Sequence, residues 1–330
     1  MKYLIFIAIL VSIEAKAQFG QYQVLDLPSG ARSAALGGTM VSLADGEIQQ
    51  FMNNPAVLDS VSLTDVSFSY NPYFADINVF SGAFYGNVGK AGPIAFGITY
   101  ASYGEFDETD DAGNKVGSFT ARDYVIAVGK SHSVGLFTLG VNAKLAQSAI
   151  ESYSSTALTF DLGGVFRMPN KDISFGMAFK NFGFILSDYA VHQSDLPFDV
   201  QLGLTVKPEH MPFKFTLTTY NLVEENLIFR RENEDATSRT SATFDKALRR
   251  INIGAELILN KAIQFQIGYN HLRRQELKLD EKAGGAGFSY GISIGVKKIK
   301  FRYARAKYHI AGGANFISLE TNLNKYKKIL

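Results

Sequence analysis

Two overlapping matches to Gly-x-Ser-x-Gly are the closest this chain comes to a catalytic signature: Gly287-Phe288-Ser289-Tyr290-Gly291 and Gly291-Ile292-Ser293-Ile294-Gly295. In a serine hydrolase that pattern lifts the nucleophile onto a sharp turn between a strand and a helix. Here both serines sit inside a run where Gly and Ser alternate with Phe288, Tyr290, Ile292, Ile294 and Val296. A period of two marks a strand, and a strand with a Gly/Ser face generates such matches by itself. The expectation is a wall without bulk on its inner side, against which the N-terminal segment packs. His132, His192, His210, His271 and His309 lack metal-ligand spacing, and there is no His-Glu-x-x-His. The chain has no cysteine, which excludes disulfides, thiolate metal sites and a thiol nucleophile. It also lacks a Gly-x-x-x-x-Gly-Lys-Ser/Thr phosphate loop. No catalytic residue, metal site or cofactor is expected, and the chain reads as a non-enzyme.

The charged clusters suit contact better than catalysis. Glu105-Phe106-Asp107-Glu108-Thr109-Asp110-Asp111 offers the oxygen ligands that calcium takes, but not at EF-hand spacing, so it reads as a solvated outer loop. The 223–246 stretch mixes signs in Glu224, Glu225, Arg230, Arg231, Glu232, Glu234 and Asp235. Arg273 and Arg274 open another polar stretch, 272–283. Glu105, Asp107, Glu108, Glu224, Glu225, Arg230, Arg231, Arg273 and Arg274 are the candidates for contact with a partner. Lys298, Lys300 and Arg302 share one face of a strand, where Glu256 or the N-terminal segment would pair with them. With 33 basic and 31 acidic residues the net charge is +2, which gives no reason to expect a nucleic-acid partner.

These groups are positioned by a strand-rich chain. Residues 1–17 carry Lys2, an apolar run from Tyr3 to Ile13, and Ala15-Lys16-Ala17 before Gln18. That is a secretory signal peptide cleaved between Ala17 and Gln18, and its apolar run is too short to span a bilayer, which takes about 20 residues. Residues 18–63 do not alternate. Ala31 to Leu43 is rich in small residues, and Glu47 to Leu58 reads as a short helix broken around Asn53-Asn54-Pro55-Ala56. From Thr64 onward the period is two. Phe137, Leu139, Val141, Ala143 and Leu145 alternate with Thr138, Gly140, Asn142, Lys144 and Ala146. Ile251, Ile253, Ala255, Leu257 and Leu259 do the same.

Fourteen strands are predicted, starting near Thr64, Ile77, Gly92, Ser118, Val134, Tyr153, Lys171, Pro197, Pro212, Ala247, Lys261, Gly284, Lys297 and Gly313. Connections after the even-numbered strands are short. Several after the odd-numbered ones are long: 104–117, 184–196, 223–246 and 272–283. Long alternating strands with short turns on one side and long loops on the other follow the plan of an outer-membrane barrel. The predicted fold is therefore all-β: a transmembrane antiparallel β-barrel of about 14 strands over 64–323, a short helical plug over 18–63, and a tail over 324–330. A soluble secreted β domain is the competing architecture.

Arg32-Ser33-Ala34-Ala35-Leu36-Gly37-Gly38, then Asn53-Asn54-Pro55-Ala56, then long strands, resembles the FadL-like superfamily of outer-membrane proteins. Tyr103-Gly104-Glu105-Phe106-Asp107, Leu196-Pro197-Phe198-Asp199, Arg273-Arg274-Gln275-Glu276-Leu277 and Tyr308-His309-Ile310-Ala311-Gly312 are similar to the PorQ-type barrels of the Bacteroidetes type IX secretion system. That resemblance implies a non-enzymatic barrel in the outer membrane of a Gram-negative cell. It would anchor a PorZ-like surface protein beside PorU and PorV, in a complex that attaches secreted cargo to lipopolysaccharide. The alternative is a FadL-type transporter of hydrophobic compounds, which requires an apolar lumen and an opening in the wall. Gly, Ser, Thr, Asn and Lys on the inward faces favour a polar or plugged interior.

Overall fold

A computed structural model describes residues 22–73, 76–169, 171–189, 195–223, 245–277, 285–309 and 312–326. The signal segment with Ala17 and Gln18, and the candidates Glu224, Glu225, Arg230 and Arg231, lie outside the described residues.

Fourteen strands follow one another around a closed barrel. They are β1 (Asp65–Pro72), β2 (Asn78–Asn87), β3 (Pro93–Thr109), β4 (Lys115–Val134), β5 (Phe137–Ile150), β6 (Tyr153–Arg167) and β7 (Ile173–Ser187), then β8 (Asp199–Val206), β9 (Phe213–Thr219), β10 (Ile251–Ile258), β11 (Ile263–Asn270), β12 (Phe288–Val296), β13 (Ile299–His309) and β14 (Gly312–Asn322). Every neighbour is antiparallel, and the seam closes from Asp65 opposite Asn322 to Tyr70 opposite Ile317. Each strand begins within four residues of its predicted start.

The alternation explains the closure. On β4, Ile126 is 52% exposed and Val128 40%, while Ala127 between them is fully buried. Phe68, Ile98, Leu139, Ile267 and Leu319 extend the same outward apolar belt around the barrel. Hydrocarbon matches such a belt and offers no partner to a backbone N–H or C=O, so the sheet that carries it has to be edgeless.

Two connections differ from the reading of the sequence. The 104–117 segment is not a loop. β3 and β4 stay paired from Glu105 opposite Thr120 to Thr109 opposite Lys115. Phe106 stacks on Phe119 with centroids 5.4 Å apart, and Lys115 pairs with Asp107 at 2.5 Å. The true turn is confined to 110–114, where the Asp110 carboxylate accepts from the N–H groups of Ala112 and Asn114. The charges suggested a loop because this ribbon stands clear of its neighbours and is wet on both faces. The 272–283 segment likewise begins as a helix, α2 (His271–Leu277), following directly on β11.

Residues 22–63 lie inside the barrel. They comprise one turn of helix, α1 (Ala31–Ala35), and three 3-10 turns at Gln23–Asp26, Ile48–Met52 and Pro55–Ser60. The segment leans on the wall in every direction. Phe51 faces β3 and β4, Val41 faces β7 and β8, and Ala35 faces β12, where the Ser289 hydroxyl donates to its carbonyl at 2.8 Å. At the seam the Ala31 N–H donates to Ser318 Oγ at 2.9 Å. Ser69 on β1 donates to Gln49 Oε1 at 2.8 Å, and the Ser69 and Ser318 hydroxyls meet at 2.5 Å. Wall glycines let main chain touch main chain, Gly140, Gly176 and Gly268 among them. A Cβ on Gly140 would stand 2.4 Å from Ala56 N, and one on Gly268 would stand 2.3 Å from Gly37 N.

Gly140→Val and Gly268→Val should therefore loosen the filling. The expected cost of each is about 1–3 kcal/mol. It would be read as protease cleavage within 22–63 of the folded barrel. Gly82→Ala on the outer face, where the added Cβ meets Phe68 at an ordinary 3.5 Å, should leave that protection intact.

Candidate functional site

The interior is organised by charge. Arg32, on α1, is the hub. Its guanidinium grips Glu256 on β10 through Nε and Nη2 at 2.8 and 2.7 Å, and Asp45 through Nη1 and Nη2 at 2.8 and 2.6 Å. It also reaches Glu47 at 3.3 Å. A planar fork meeting two carboxylates is geometry that only arginine supplies. Lys214 on β9 adds a bond to Asp45 at 2.7 Å. On the other side Arg302 pairs with Glu320 at 3.2 Å and approaches Glu47 at 3.8 Å, while Lys300 holds Glu320 at 3.1 Å. Four cations thus face four carboxylates, so the cluster is neutral.

The expectation for the basic face of β13 holds in part: Arg302 reaches Glu47 of the N-terminal segment, but not Glu256. Glu256 is taken by Arg32. Arg302 and Lys300 turn to Glu320 on the adjoining strand, and Lys298 lies over the Tyr326 ring at 4.5 Å.

Burial alone would raise the Asp45 carboxyl. The attraction of Arg32 and Lys214 outweighs that and holds it well below the usual carboxylate range.

A second polar cluster fixes the opposite wall. Lys144 on β5 pairs with Asp161 on β6 at 2.7 Å and donates to Asn181 Oδ1 at 2.5 Å. Asn181 passes the link to Asp26 of the filling at 3.2 Å. Asn142 donates to the Phe51 carbonyl at 2.8 Å. Asn54 explains the Asn-Pro-Ala step. Its Oδ1 accepts from Ala56 N–H at 3.0 Å, capping the turn begun by Pro55, and its Nδ2 donates to the carbonyls of Val41 and Gly164. At the short-turn end Asp59 takes a two-point bond from Arg167 and another from Thr138 at 2.7 Å.

Little enclosed space is left beside the 22–29 and 49–53 parts of the filling. A cavity of about 40 Å³ remains between the filling and β2–β4, lined by Val24, Leu25, Leu27, Met52, Val79 and Val125 among others. It has room for water, whereas a cavity known to take benzene measures about 150 Å³. Among the described residues no group of His, Asp or Glu is placed to hold a metal ion.

The described contact candidates lie at the opposite end from the short turns. Glu105, Asp107 and Glu108 are exposed on the β3–β4 ribbon. Arg273 and Arg274 sit half-buried on α2, and the Arg273 guanidinium extends over Gly38 of the filling. Sequence reasoning missed Arg32, Asp45, Glu47, Lys144 and Lys214. The available signal was a charge in the inward phase of a strand, such as Lys144 between Ala143 and Leu145.

No protein-family model matches the chain, and no curated protein matches its sequence. Solved structures do. The deltaS2S3 mutant of the TodX monoaromatic hydrocarbon channel superposes with a TM-score of 0.53 at 11% identity, covering 89% of this chain and 98% of that one. The TodX deltaS2 mutant gives 0.51 at 12% identity, covering 89% and 97%. A FadL homologue from Pseudomonas aeruginosa gives 0.47 at 10% identity, covering 89% and 98%. The TodX likeness extends over nearly the whole of both chains and shows a shared fold, the closed antiparallel barrel.

Glu256→Gln should lower stability by about 3–5 kcal/mol, because it leaves Arg32 buried without its full counter-charge. Thermal unfolding in detergent would measure this. The pH dependence follows from Asp45. Its folded value is depressed, so its contribution is complete above the unfolded value of about 3.9 and is lost as pH falls toward the folded value. Protease protection of 22–63 should therefore hold from neutral pH down to about 4 and fail only in stronger acid.

Proposed function

We propose that this chain is a sealed, non-enzymatic outer-membrane barrel that serves as a scaffold, presenting its long-connection face to a secreted surface protein. The observation that carries the reading is the lumen, filled by residues 22–63 and held by buried ion pairs on two sides. A barrel bolted shut in this way is suited to holding something at the surface. The second support is the relief of that face. β3 and β4 run for 17 and 20 residues, well beyond the roughly 9–11 that cross a bilayer, and lift the acidic ribbon away from the membrane. The motif resemblance to PorQ-type barrels names the setting: the attachment complex of a type IX secretion system, with a PorZ-like protein as the held partner, PorU- and PorV-like proteins as companions, and lipopolysaccharide as the acceptor of cargo.

A second reading is transport of hydrophobic compounds. The TodX likeness of the fold favours it, as does the apolar part of the small cavity near Val79 and Val125. That reading requires the filling to move, because continuous pairing from Asn78–Ser102 to Asn87–Pro93 keeps the wall beside the cavity intact.

The deciding experiment is affinity capture of the tagged barrel from native outer membranes. A soluble secreted protein recovered near one-to-one, and lost when Glu105, Asp107 and Glu108 are changed together to Lys, is the expected result. Recovery of the barrel alone with a bound fatty acid or arene would support transport instead. In planar bilayers the full chain should be silent, and deletion of 22–63 should open a conductance.

A further inference from the structure

The short-turn mouth carries a feature that the scaffold reading does not use. An open cleft of about 640 Å³ lies between the end of the filling and the β13, β14 and β1 wall. Its volume falls within the range of small-ligand sites. Three carboxylates line it, and each already has a partner. Asp45 is held by Arg32 and Lys214, and Glu320 by Lys300 and Arg302. Asp65 accepts from Asn322 Nδ2 at 2.7 Å and from Ser62 N–H at 3.1 Å. Two lining cations have no such partner. Lys298 lies against the Tyr326 ring and Lys325 is exposed, and among the described residues neither is within ion-pair distance of a carboxylate. The hydrogen bonds of Asp65 leave its charge in place, so Lys298 and Lys325 give the cleft an excess of one positive charge.

Its rim is apolar. Leu63 and Leu323 are 40% and 45% exposed beside it, and Val296 and Ile299 continue onto the membrane-facing surface. A basic, polar recess bordering an apolar surface matches a molecule with an anionic head and hydrocarbon tails. Lysine stems reach readily from such a boundary toward phosphate.

We propose that this cleft binds the phosphate headgroup of an anionic phospholipid, with Lys298 and Lys325 as its cations and the Leu323–Ile299 edge along its acyl chains. The assignment to a phospholipid leaflet follows from short turns facing the periplasm. It does not depend on the surface partner, so the two readings can fail separately.

The test is native mass spectrometry of the delipidated full-length barrel in mild detergent. It is titrated separately with phosphatidylglycerol, phosphatidylethanolamine and inorganic phosphate. Phosphatidylglycerol should be retained in preference to the zwitterionic lipid. The Lys298→Gln/Lys325→Gln variant should bind it about thirtyfold more weakly, since each lysine near an anionic headgroup is worth about 1 kcal/mol. Lys261→Gln, on the β10–β11 turn of the same mouth but outside the cleft, should bind as the parent does. Heat-dependent migration on gels checks that each variant is folded. Equal retention of the two lipids, or unchanged retention by the double variant, would overturn the proposal. Inorganic phosphate that displaces the lipid at equal concentration would overturn its lipid identity.

Discussion

Everything in this molecule follows from a sheet that has to close. Hydrocarbon leaves no unpaired backbone group tolerable, so β1 must meet β14. Closing fourteen strands creates an interior too wide for the side chains of the wall to fill, because diameter grows with strand number. The wall contributes mainly Ala, Ser, Thr and Gly inward, and the space is taken by main chain from residues 22–63. Main chain brings its own polar groups with it. The interior is consequently built with donors, acceptors and paired charges in place of an oily core.

That accounts for the unusual placement of charge. Glu256 and Asp161 are wholly buried, and Lys144 nearly so. Buried ion pairs seldom add net stability compared with a well-packed apolar substitute. What they add here is position. Arg32 can satisfy its fork only when α1, packed on β12 and β13, lets its side chain reach Glu256 on β10 and the Asp45 turn lies beside it, so one seating of the filling is selected among many of similar packing. Lys144, Asp161 and Asn181 do the same for the opposite wall.

The barrel was legible from sequence because lipid enforces the alternation. Runs such as Phe137 to Leu145 point apolar residues outward with no exception, and the strand starts follow within a few residues. The glycine-and-serine face of β12 was legible for the same reason, and Ser289 does meet the N-terminal segment there. The Arg32–Glu256 pair was not, because its members lie 224 positions apart and meet only after the sheet has closed. The β3–β4 ribbon was hidden by the opposite effect. Once a strand leaves the membrane, both faces are wet, the apolar alternation fades, and an acidic strand looks like a loop.

The hydrogen bonds at the seam have a further consequence. Ser69 and Ser318 belong to the first and last strands, and both are bonded to each other and to the filling through Gln49 and Ala31. Separating β1 from β14 therefore tears out contacts of the filling, and withdrawing the filling removes support from the seam. Wall and contents form one cooperative unit. A barrel without its filling should therefore be weaker at this junction than the filled one, which stitches the first and last strands through a third segment.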